Sequence, residues 1–278
     1  MKFVYCGYDF MLGAVRRLLE DGHELTGVFT FECDNVFNFN IETLALAKKH
    51  GVLSVLSPPQ DIHIEAFIDK GAQCFLAGGY PYKIPPIDEL RAYGINIHPS
   101  LLPAGRGLMP TPHIIMHYPK AAGISVHKLT SIFDDGDILY QEVLPLSPRE
   151  TVETYSARIA LRAPDILSSI MADLPPHWQN ARAQNRNKAS TFPPPDDAMR
   201  TLDWSSPVET IDKTARAFGR FGCLAHFDGQ IFVVYALDVW KEKHRLSPGT
   251  IALRQAREII IAARDGFVCL KDFQIARS

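Results

Sequence analysis

The chain has 278 residues, of which 46% are hydrophobic and 22% are charged, and its formal net charge is −2. These values are ordinary for a soluble globular protein, and the length suits one domain of about 150 to 200 residues with a smaller companion. The small negative charge argues against a general nucleic-acid binder. No segment approaches the roughly 18 uninterrupted apolar residues of a membrane span, so we expect a cytoplasmic protein without membrane contact.

The first part of the chain alternates short apolar runs with amphipathic segments. Residues 2–7 read as a strand, and residues 11–20 have the apolar spacing of a helix that stops near Gly22. The alternation continues with a strand at 25–29, a helix at 41–49, a strand at 52–56, a helix at 62–70, and strands at 73–77, 95–98, 123–129 and 138–143. This order predicts a Rossmann-like α/β fold, a mostly parallel sheet with helices on both faces.

The composition changes after a long helical pattern at residues 151–174, which Pro164 should kink or split. Residues 175–200 are rich in Pro, Asn, Gln, Ala and Arg, which predicts a linker. We therefore expect a catalytic domain at 1–174, a Pro-rich linker at 175–200 and a small C-terminal domain at 201–278.

The C-terminal segment has the signals of a small β-rich domain. Ser206-Pro207 resembles a helix N-cap followed by proline at the first helical position. Asp228-Gly229 and Asp265-Gly266 each separate two apolar runs, which is typical of β-hairpins. These signals predict an OB-like barrel.

The most informative motif is Asn96-Ile97-His98-Pro99, where an apolar strand ends in a proline-locked loop. Because side chains alternate along a strand, Asn96 and His98 face the same way. An isolated motif of this kind more often only terminates a strand and bonds local backbone. Here an acidic loop containing Asp134 follows, and an amide, an imidazole and a carboxylate in one pocket can stabilise an oxyanion and move a proton.

Several segments together resemble the signature of the 10-formyltetrahydrofolate-dependent formyltransferases. They are 96–103, Arg106-Gly107, Pro110, 123–127 and 134–139. The family includes enzymes that act on methionyl-tRNA, on glycinamide ribonucleotide and on amino sugars. Residues 202–205 and 248–250 also resemble the C-terminal domain of the methionyl-tRNA enzymes. The resemblance implies 10-formyltetrahydrofolate as the co-substrate.

The resemblance also implies that Asn96, His98 and Asp134 are the catalytic residues. Asn96 and a protonated His98 would stabilise the oxyanion, while Asp134 would keep His98 charged and help to take the amine proton through water. His127 either supports this group or is a structural histidine. The residues implied to bind the pterin are Tyr82, Lys83, Ile84, Ile132 and Phe133. Alternatively, residues 80–82 form only a rigid turn.

Four further residues are predicted to bind substrate: Asp9, Phe10, Asn35 and Arg106. Asp9 and Phe10 follow the first strand, at the sheet edge where such folds bind ligands. Arg106 has the planar fork that suits a carboxylate or phosphate, or it is a solvated loop charge. We expect no metal site, because His113 and His117 have the spacing of metal ligands but lack a third partner.

The acceptor is inferred from residues 32–40. Methionyl-tRNA enzymes carry a basic insertion at this place, whereas here the segment is short, acidic and aromatic, so a polyanion would gain little from it. Its Asn and Phe residues suit a compact acceptor or, alternatively, cap the next helix. We therefore expect formyl transfer to a small-molecule amine, either a nucleotide-linked amino sugar or a hydroxyornithine-type precursor. Methionyl-tRNA as acceptor and hydrolysis of formyltetrahydrofolate are the alternatives, and the oligomeric state stays open.

Overall fold

The computed structural model describes residues 1–255 and 257–276, which form two compact units. The first unit comprises residues 1–110, 120–145 and 156–193. The second unit comprises residues 111–119 and 146–155 together with the chain from 194 onward. Most of the segment predicted to be a linker thus belongs to the first unit.

A seven-stranded sheet forms the centre of the first unit. Its strands are β1 (Lys2–Gly7), β2 (Glu24–Phe29), β3 (Leu53–Val55), β4 (Cys74–Gly78), β5 (Tyr93–His98), β6 (Gly123–Lys128) and β7 (Ile138–Val143). Their order is β3-β2-β1-β4-β5-β6-β7. All pairs from β3 to β5 are parallel, whereas β6 and β7 join as an antiparallel pair. The predicted mostly parallel sheet is confirmed.

Eight α-helices occur in the described chain. They are α1 (Leu12–Glu20), α2 (Ile41–His50), α3 (Asp61–Asp69), α4 (Pro110–Met116), α5 (Val152–Ala172), α6 (Leu174–Gln179), α7 (Asp197–Arg200) and α8 (Val208–Phe218). None of the described helices is long and apolar enough to cross a membrane. α5 continues through Pro164, so the helix is not split there as one prediction had it. Burial of Ile159, Ala163 and Ile166 offsets the backbone hydrogen bond that proline cannot donate.

The strand order reverses between β1 and β4, and sheets of this kind bind ligands beyond the carboxyl ends of the strands at that point. Because β1, β4 and β5 are parallel, the loops that follow them leave from the same edge. These loops hold residues 8–10, 79–84 and 99–107. The sheet therefore brings three of the sequence-predicted segments to one edge.

The second unit contains a five-stranded antiparallel sheet. Its strands are β8 (Cys223–Phe227), β9 (Gln230–Lys241), β10 (Ile251–Gln255), β11 (Glu258–Ala263) and β12 (Gly266–Ile275), in the order β10-β11-β12-β9-β8. Asp228 and Gly229 have φ values of 53° and 70°, as a two-residue hairpin turn requires. The predicted β-rich C-terminal domain is confirmed.

The N-terminus of α8 is capped by a residue distant in sequence. Pro207 occupies the N-cap position, and the hydroxyl of Ser206 donates to Asp203 instead of accepting from the helix. The Val208 N–H donates to Asp265 Oδ1 at 2.9 Å. The Ser206 cap expected from the sequence is therefore wrong.

Removal of this cap should destabilise the second unit. We expect Asp265→Ala to lower the free energy of unfolding by about 1 kcal/mol, because the first turn of α8 loses its acceptor. Asp272→Ala is the matched control, since Asp272 is an exposed carboxylate in β12, the strand that begins directly after Asp265. Urea unfolding measures both, and equal stabilities of the two variants would contradict the assignment.

Candidate active site

The candidate site is built at the end of β5, where the strand passes into a loop. Asn96 is half-buried and His98 is 5% exposed. The antiparallel register with β6 places His127 opposite Asn96. Alternation along β5 sends the Asn96 and His98 side chains to the same face, as the sequence predicts.

The carboxylate of Asp134 lies at the centre of this group. Its Oδ1 is 3.5 Å from His98 Nδ1, 3.3 Å from His127 Nε2 and 3.4 Å from Asn96 Nδ2. Its Oδ2 accepts the backbone N–H of Gly107 at 2.8 Å. The structure thus brings the three predicted catalytic residues together, and it adds His127, whose role the sequence left open.

The backbone of the acidic loop has two unusual features. Asp134 has a φ of 54°, in the left-handed region that few residues other than Gly, Asn and Asp enter. At Gly136 a Cβ atom would overlap the carbonyl oxygen of Lys128. The Asp-x-Gly spacing therefore suits this tight turn, which needs a residue that tolerates positive φ at 134 and a glycine at 136.

Backbone carbonyls fix the tautomers of both imidazoles. His127 Nδ1 donates to the Lys128 carbonyl at 2.8 Å, so its Nε2 is free to accept from Asn96 Nδ2 at 3.0 Å. His98 Nε2 donates to the Gly105 carbonyl at 2.8 Å, which turns its Nδ1 toward the carboxylate. Both nitrogens of His98 therefore face acceptors.

The protonation states of the central pair follow from burial and charge. Burial lowers the pKa of the His98 imidazole, and the Asp134 carboxylate and Gly105 carbonyl oppose this only in part. Burial acts to raise the pKa of Asp134, but His98, His127 and the Gly107 amide together hold that pKa well below its usual range. At neutral pH a neutral imidazole lies beside an ionised carboxylate. The low pKa of Asp134, however, reflects attraction to a charged His98, and the expectation that Asp134 keeps His98 charged stays a prediction.

The residues predicted to hold the pterin lie in two loops. Tyr82 packs edge-on against Tyr80 with ring centroids 5.6 Å apart, and Lys83 is exposed. The side chain of Ile84 is buried in the hydrophobic cluster of the sheet. Ile132 and Phe133, in the acidic loop, are 58% and 48% exposed. These two apolar side chains are available to cover a ring, and the folate contacts of all five residues stay predictions.

Three of the predicted substrate residues lie in the loops after β1 and β2. The carboxylate of Asp9 accepts the backbone N–H groups of Glu42 and Thr43 at 3.2 and 2.8 Å and thereby caps α2. The ring of Phe10 stacks against a neighbouring tyrosine at 5.9 Å. Asn35 is exposed, with φ of 55° and its amide donating to the Cys33 carbonyl. Their contacts with substrate stay predictions.

Arg106, the fourth predicted substrate residue, is held by the protein itself. Its side chain is 12% exposed, with Nη1 2.6 Å from Asp135 Oδ1. Its Nε and Nη2 donate to Gln184 Oε1 at 3.2 and 2.7 Å. The alternative of a solvated loop charge is wrong, and the anion-binding role stays a prediction. Gln184 was missed because it lies in a stretch whose composition indicates only a linker.

The loop after β2 is organised by its own side chains. Asp34 Oδ1 accepts the backbone N–H groups of residues 36, 37 and 38. Asn40 is the N-cap residue of α2, but its buried side chain donates to the Phe31 carbonyl and makes no capping bond to the helix. The Phe31 ring contacts Tyr8 and Tyr80, at centroid distances of 5.6 and 6.4 Å. This loop thus adjoins those after β1 and β4.

Two family models match the chain. One, described as formyl transferase, covers residues 83–171, and the other, formyl transferase C-terminal domain, covers residues 196–278. The chain belongs to the formyl transferase family. It is a formyltransferase, and the residues gathered around Asp134 lie within the first matched segment.

Known proteins resemble the enzyme over nearly its whole length. The methionyl-tRNA formyltransferase of Hahella chejuensis is 24% identical over 285 residues, which cover 99% of this chain and 90% of that protein. The N-formyltransferase from Helicobacter canadensis, in complex with folinic acid and dTDP-3-aminofucose, has a TM-score of 0.70 and 13% identity, covering 98% of this chain and 99% of that one. These matches show a shared fold.

A third similar protein is longer. HypX from Aquifex aeolicus, in complex with tetrahydrofolic acid, has a TM-score of 0.69 and 17% identity. The match covers 100% of this chain and 44% of HypX, so the enzyme spans less than half of that protein. The shared segment has the same fold.

The tight turn of the acidic loop predicts that alanine lowers the stability of the protein at Gly136 but not at Gly13, where it should be neutral or stabilising. Gly136→Ala should destabilise the protein by about 1 to 3 kcal/mol and reduce activity, because its Cβ has no room beside the Lys128 carbonyl. Gly13→Ala is the control, since the nearest atom to a Cβ there is at 3.8 Å and Gly13 lies within a helix. Thermal unfolding and turnover test both, and an unimpaired Gly136→Ala variant would contradict the loop geometry.

Proposed function

We propose that the enzyme transfers the formyl group of 10-formyltetrahydrofolate to the amine of a small molecule, either a nucleotide-linked amino sugar or a hydroxyornithine-type precursor. The observation that carries this proposal is the meeting of Asn96, His98 and Asp134 at the ligand-binding edge of the sheet. The folates bound by two proteins of the same fold support the donor.

In the proposed reaction a neutral amine attacks the formyl carbon, and the formyl oxygen becomes an oxyanion. One N–H of Asn96 stays on His127 Nε2 at 3.0 Å, and the other leaves its long, 3.4 Å contact with Asp134 to bind that oxyanion. His98 starts neutral with an unprotonated Nδ1 beside Asp134. The proton that the amine loses reaches this Nδ1 through water, and it returns by the same route to the folate nitrogen as the bond from formyl carbon to that nitrogen breaks. Protons and bonds are balanced over the cycle.

Asp134 acts on the charged intermediate of this cycle. When His98 gains a proton, the imidazolium lies between Asp134 Oδ1 and the Gly105 carbonyl, two acceptors that are already in place. Neutral His98 gains less from the carboxylate than the imidazolium does. The carboxylate therefore stabilises the state that forms during transfer more than the resting state, as catalysis requires.

The loop at residues 31–40 supports a compact acceptor. It contains Glu32 and Asp34 and no Lys or Arg, so it would repel a polyanionic acceptor stem. Three strand spacings separate β5 from β2, or about 14 Å, a distance that a small molecule can span. The amino sugar named with the Helicobacter canadensis enzyme supports the same class.

Methionyl-tRNA is the second candidate acceptor. Curated relatives such as that of Hahella chejuensis are methionyl-tRNA formyltransferases, and the alignment includes the C-terminal domain. Hydrolysis of formyltetrahydrofolate would use the same three residues with water in place of the amine. The two alternatives differ from the proposal in measurable ways.

An acceptor panel separates these functions. The enzyme is incubated with 10-formyltetrahydrofolate and, in turn, dTDP-linked amino sugars, hydroxyornithine, charged initiator tRNA or no amine. We expect mass gain of one formyl group on a small amine, with a weak dependence of rate on salt. Formylation of the tRNA alone, with steep salt dependence, or rapid formate release without amine would overturn the proposed acceptor.

Loss of either central side chain should abolish most of the transfer. We expect His98→Ala and Asp134→Asn to lower kcat by about 10²-fold to 10⁴-fold, the range of proton-transfer and charge-stabilising groups. His50→Ala is the control, because His50 is exposed at the end of α2. Circular dichroism should show an unchanged fold in all three variants, and near-normal turnover of His98→Ala would refute the proposed mechanism.

The pH dependence follows from the lowered pKa of His98. Since the neutral imidazole is the active form, the rate should fall as the pH drops through that pKa, on the acid side of about 6.5. Asp134→Asn removes a group that raises this pKa, so the acid limb should move to lower pH. Both pH profiles are measured with the same acceptor, so titration of the acceptor's amine affects them equally and does not cause the difference between them. A limb that moves to higher pH would contradict the assignment.

A further inference from the structure

The segment that the sequence marks as a linker runs through the candidate site. Arg182 exchanges two backbone hydrogen bonds with Ile138, at 2.8 and 2.9 Å, and Phe192 is buried. We propose that residues 182–192, here called the strap, position the catalytic group, and that Gln184 is the positioning residue for Asp134. This inference rests on the proposed function and identifies a residue outside the predicted site.

The amide of Gln184 is saturated with hydrogen bonds. Its Nε2 donates to the backbone carbonyls of Asp134 and Gly136 at 2.7 and 2.8 Å. Its Oε1 accepts the two hydrogen bonds from Arg106 described above. The reversed amide orientation would set an oxygen against two carbonyls and an NH₂ group against a guanidinium, so a single orientation is possible.

These bonds hold the acidic loop at the residue that carries the catalytic carboxylate. Asp134 needs support because its φ is positive. Gln184 binds the carbonyls on both sides of Asp135, while Arg106 pairs with the Asp135 carboxylate. Arg106 therefore contacts both Asp135 and Gln184, and Gln184 in turn contacts the backbone on either side of Asp135.

The strap also holds the loop on the other side of the site. Ser190 accepts the backbone N–H groups of Gly105 and Arg106 at 3.1 and 2.9 Å, and Phe192 donates its N–H to the Arg106 carbonyl at 2.8 Å. Gly105 and Gly107 in this loop bind His98 and Asp134 respectively. One segment thus fixes the backbone partners of both members of the central pair.

The expected consequence is an effect on chemistry rather than on binding. Loss of Gln184 leaves the Asp134 carboxylate in the protein but frees its main chain, and small displacements of a catalytic group reduce rates by up to about 10²-fold. Among the described residues Gln184 makes no hydrogen bond with the loop after β4 or with the loop at residues 31–40, and in the acidic loop it binds the carbonyls of Asp134 and Gly136 but not Ile132 or Phe133. We expect kcat to fall while KM for the folate changes little.

The test compares Gln184→Leu with Gln184→Glu in the full chain, with Asn187→Ala as a matched control on the exposed side of the strap. Gln184→Leu should lower kcat by about 10-fold to 100-fold. Gln184→Glu keeps the side-chain volume and a partner for Arg106 but loses both donors to the acidic loop, so it should show a similar loss. Asn187→Ala should behave as wild type.

A double variant distinguishes positioning from general destabilisation. If Gln184 acts through Asp134, Gln184→Glu should add little to the loss caused by Asp134→Asn. Full additivity of the two losses, or unchanged kcat in both Gln184 variants, would overturn the inference. If Gln184→Leu does not fold, the Gln184→Glu variant and the double variant decide alone.

A second readout does not depend on turnover. NMR titration of the His98 ring should show a lower pKa in Gln184→Leu than in wild type, because a displaced Asp134 carboxylate supports the imidazolium less and this substitution adds no charge. An unchanged His98 titration would refute the positioning role. An inactive wild-type enzyme in the acceptor panel would instead refute the proposed function and leave this titration as the test of the strap.

Discussion

A buried, ionised carboxylate needs hydrogen-bond donors or positive charges beside it to offset the loss of hydration. The arrangement around Asp134 follows from that requirement. The residue is 8% exposed, so an ionised side chain there is stable only with donors or cations around it. The Gly107 amide and the Asn96 amide supply donors, and ring nitrogens of His98 and His127 lie 3.5 and 3.3 Å from the carboxylate. The carboxylate of Asp134 thus connects the acidic loop to the end of β5 and to the loop that follows β5.

This requirement also explains why the site needs backbone support. The carboxylate reaches its partners from a residue with positive φ, and two residues later Gly136 leaves room for the Lys128 carbonyl. Such a turn is not favoured by itself, and the contacts of Gln184 with its carbonyls compensate for it. Strain at Asp134 is thus balanced by a segment far away in the chain.

The sequence could predict what depends on local pattern. The alternation of Asn96 and His98 follows from strand geometry, and the parallel sheet follows from the order of strands and helices. The cap of α8 by Asp265 and the contact of Gln184 with Asp134 join residues 57 and 50 positions apart, and no periodicity or motif encodes them. The protonation of His98 could not be predicted either, because it depends on how deeply the fold buries the ring.

Residue type alone also does not show whether a side chain is available to bind a ligand. Asp9 and Arg106 have the chemistry of ligand-binding groups, yet one caps α2 and the other pairs with Asp135. In each case the functional group is used by a neighbouring loop at the same edge of the sheet. Polar residues near a site serve its architecture as readily as its substrate, and only coordinates distinguish the two uses.

The course of the strap determines the smallest piece of the chain that can retain a complete site. A fragment cut after residue 174, where the composition changes, would lack Gln184, Ser190 and Phe192 and would leave both catalytic loops without their outer support. A fragment that keeps the strap must instead extend at least to residue 193, the last residue of the first unit. Cleavage within 182–192 would cut the segment that bonds the acidic loop and the loop after β5 while leaving Asn96, His98 and Asp134 in place.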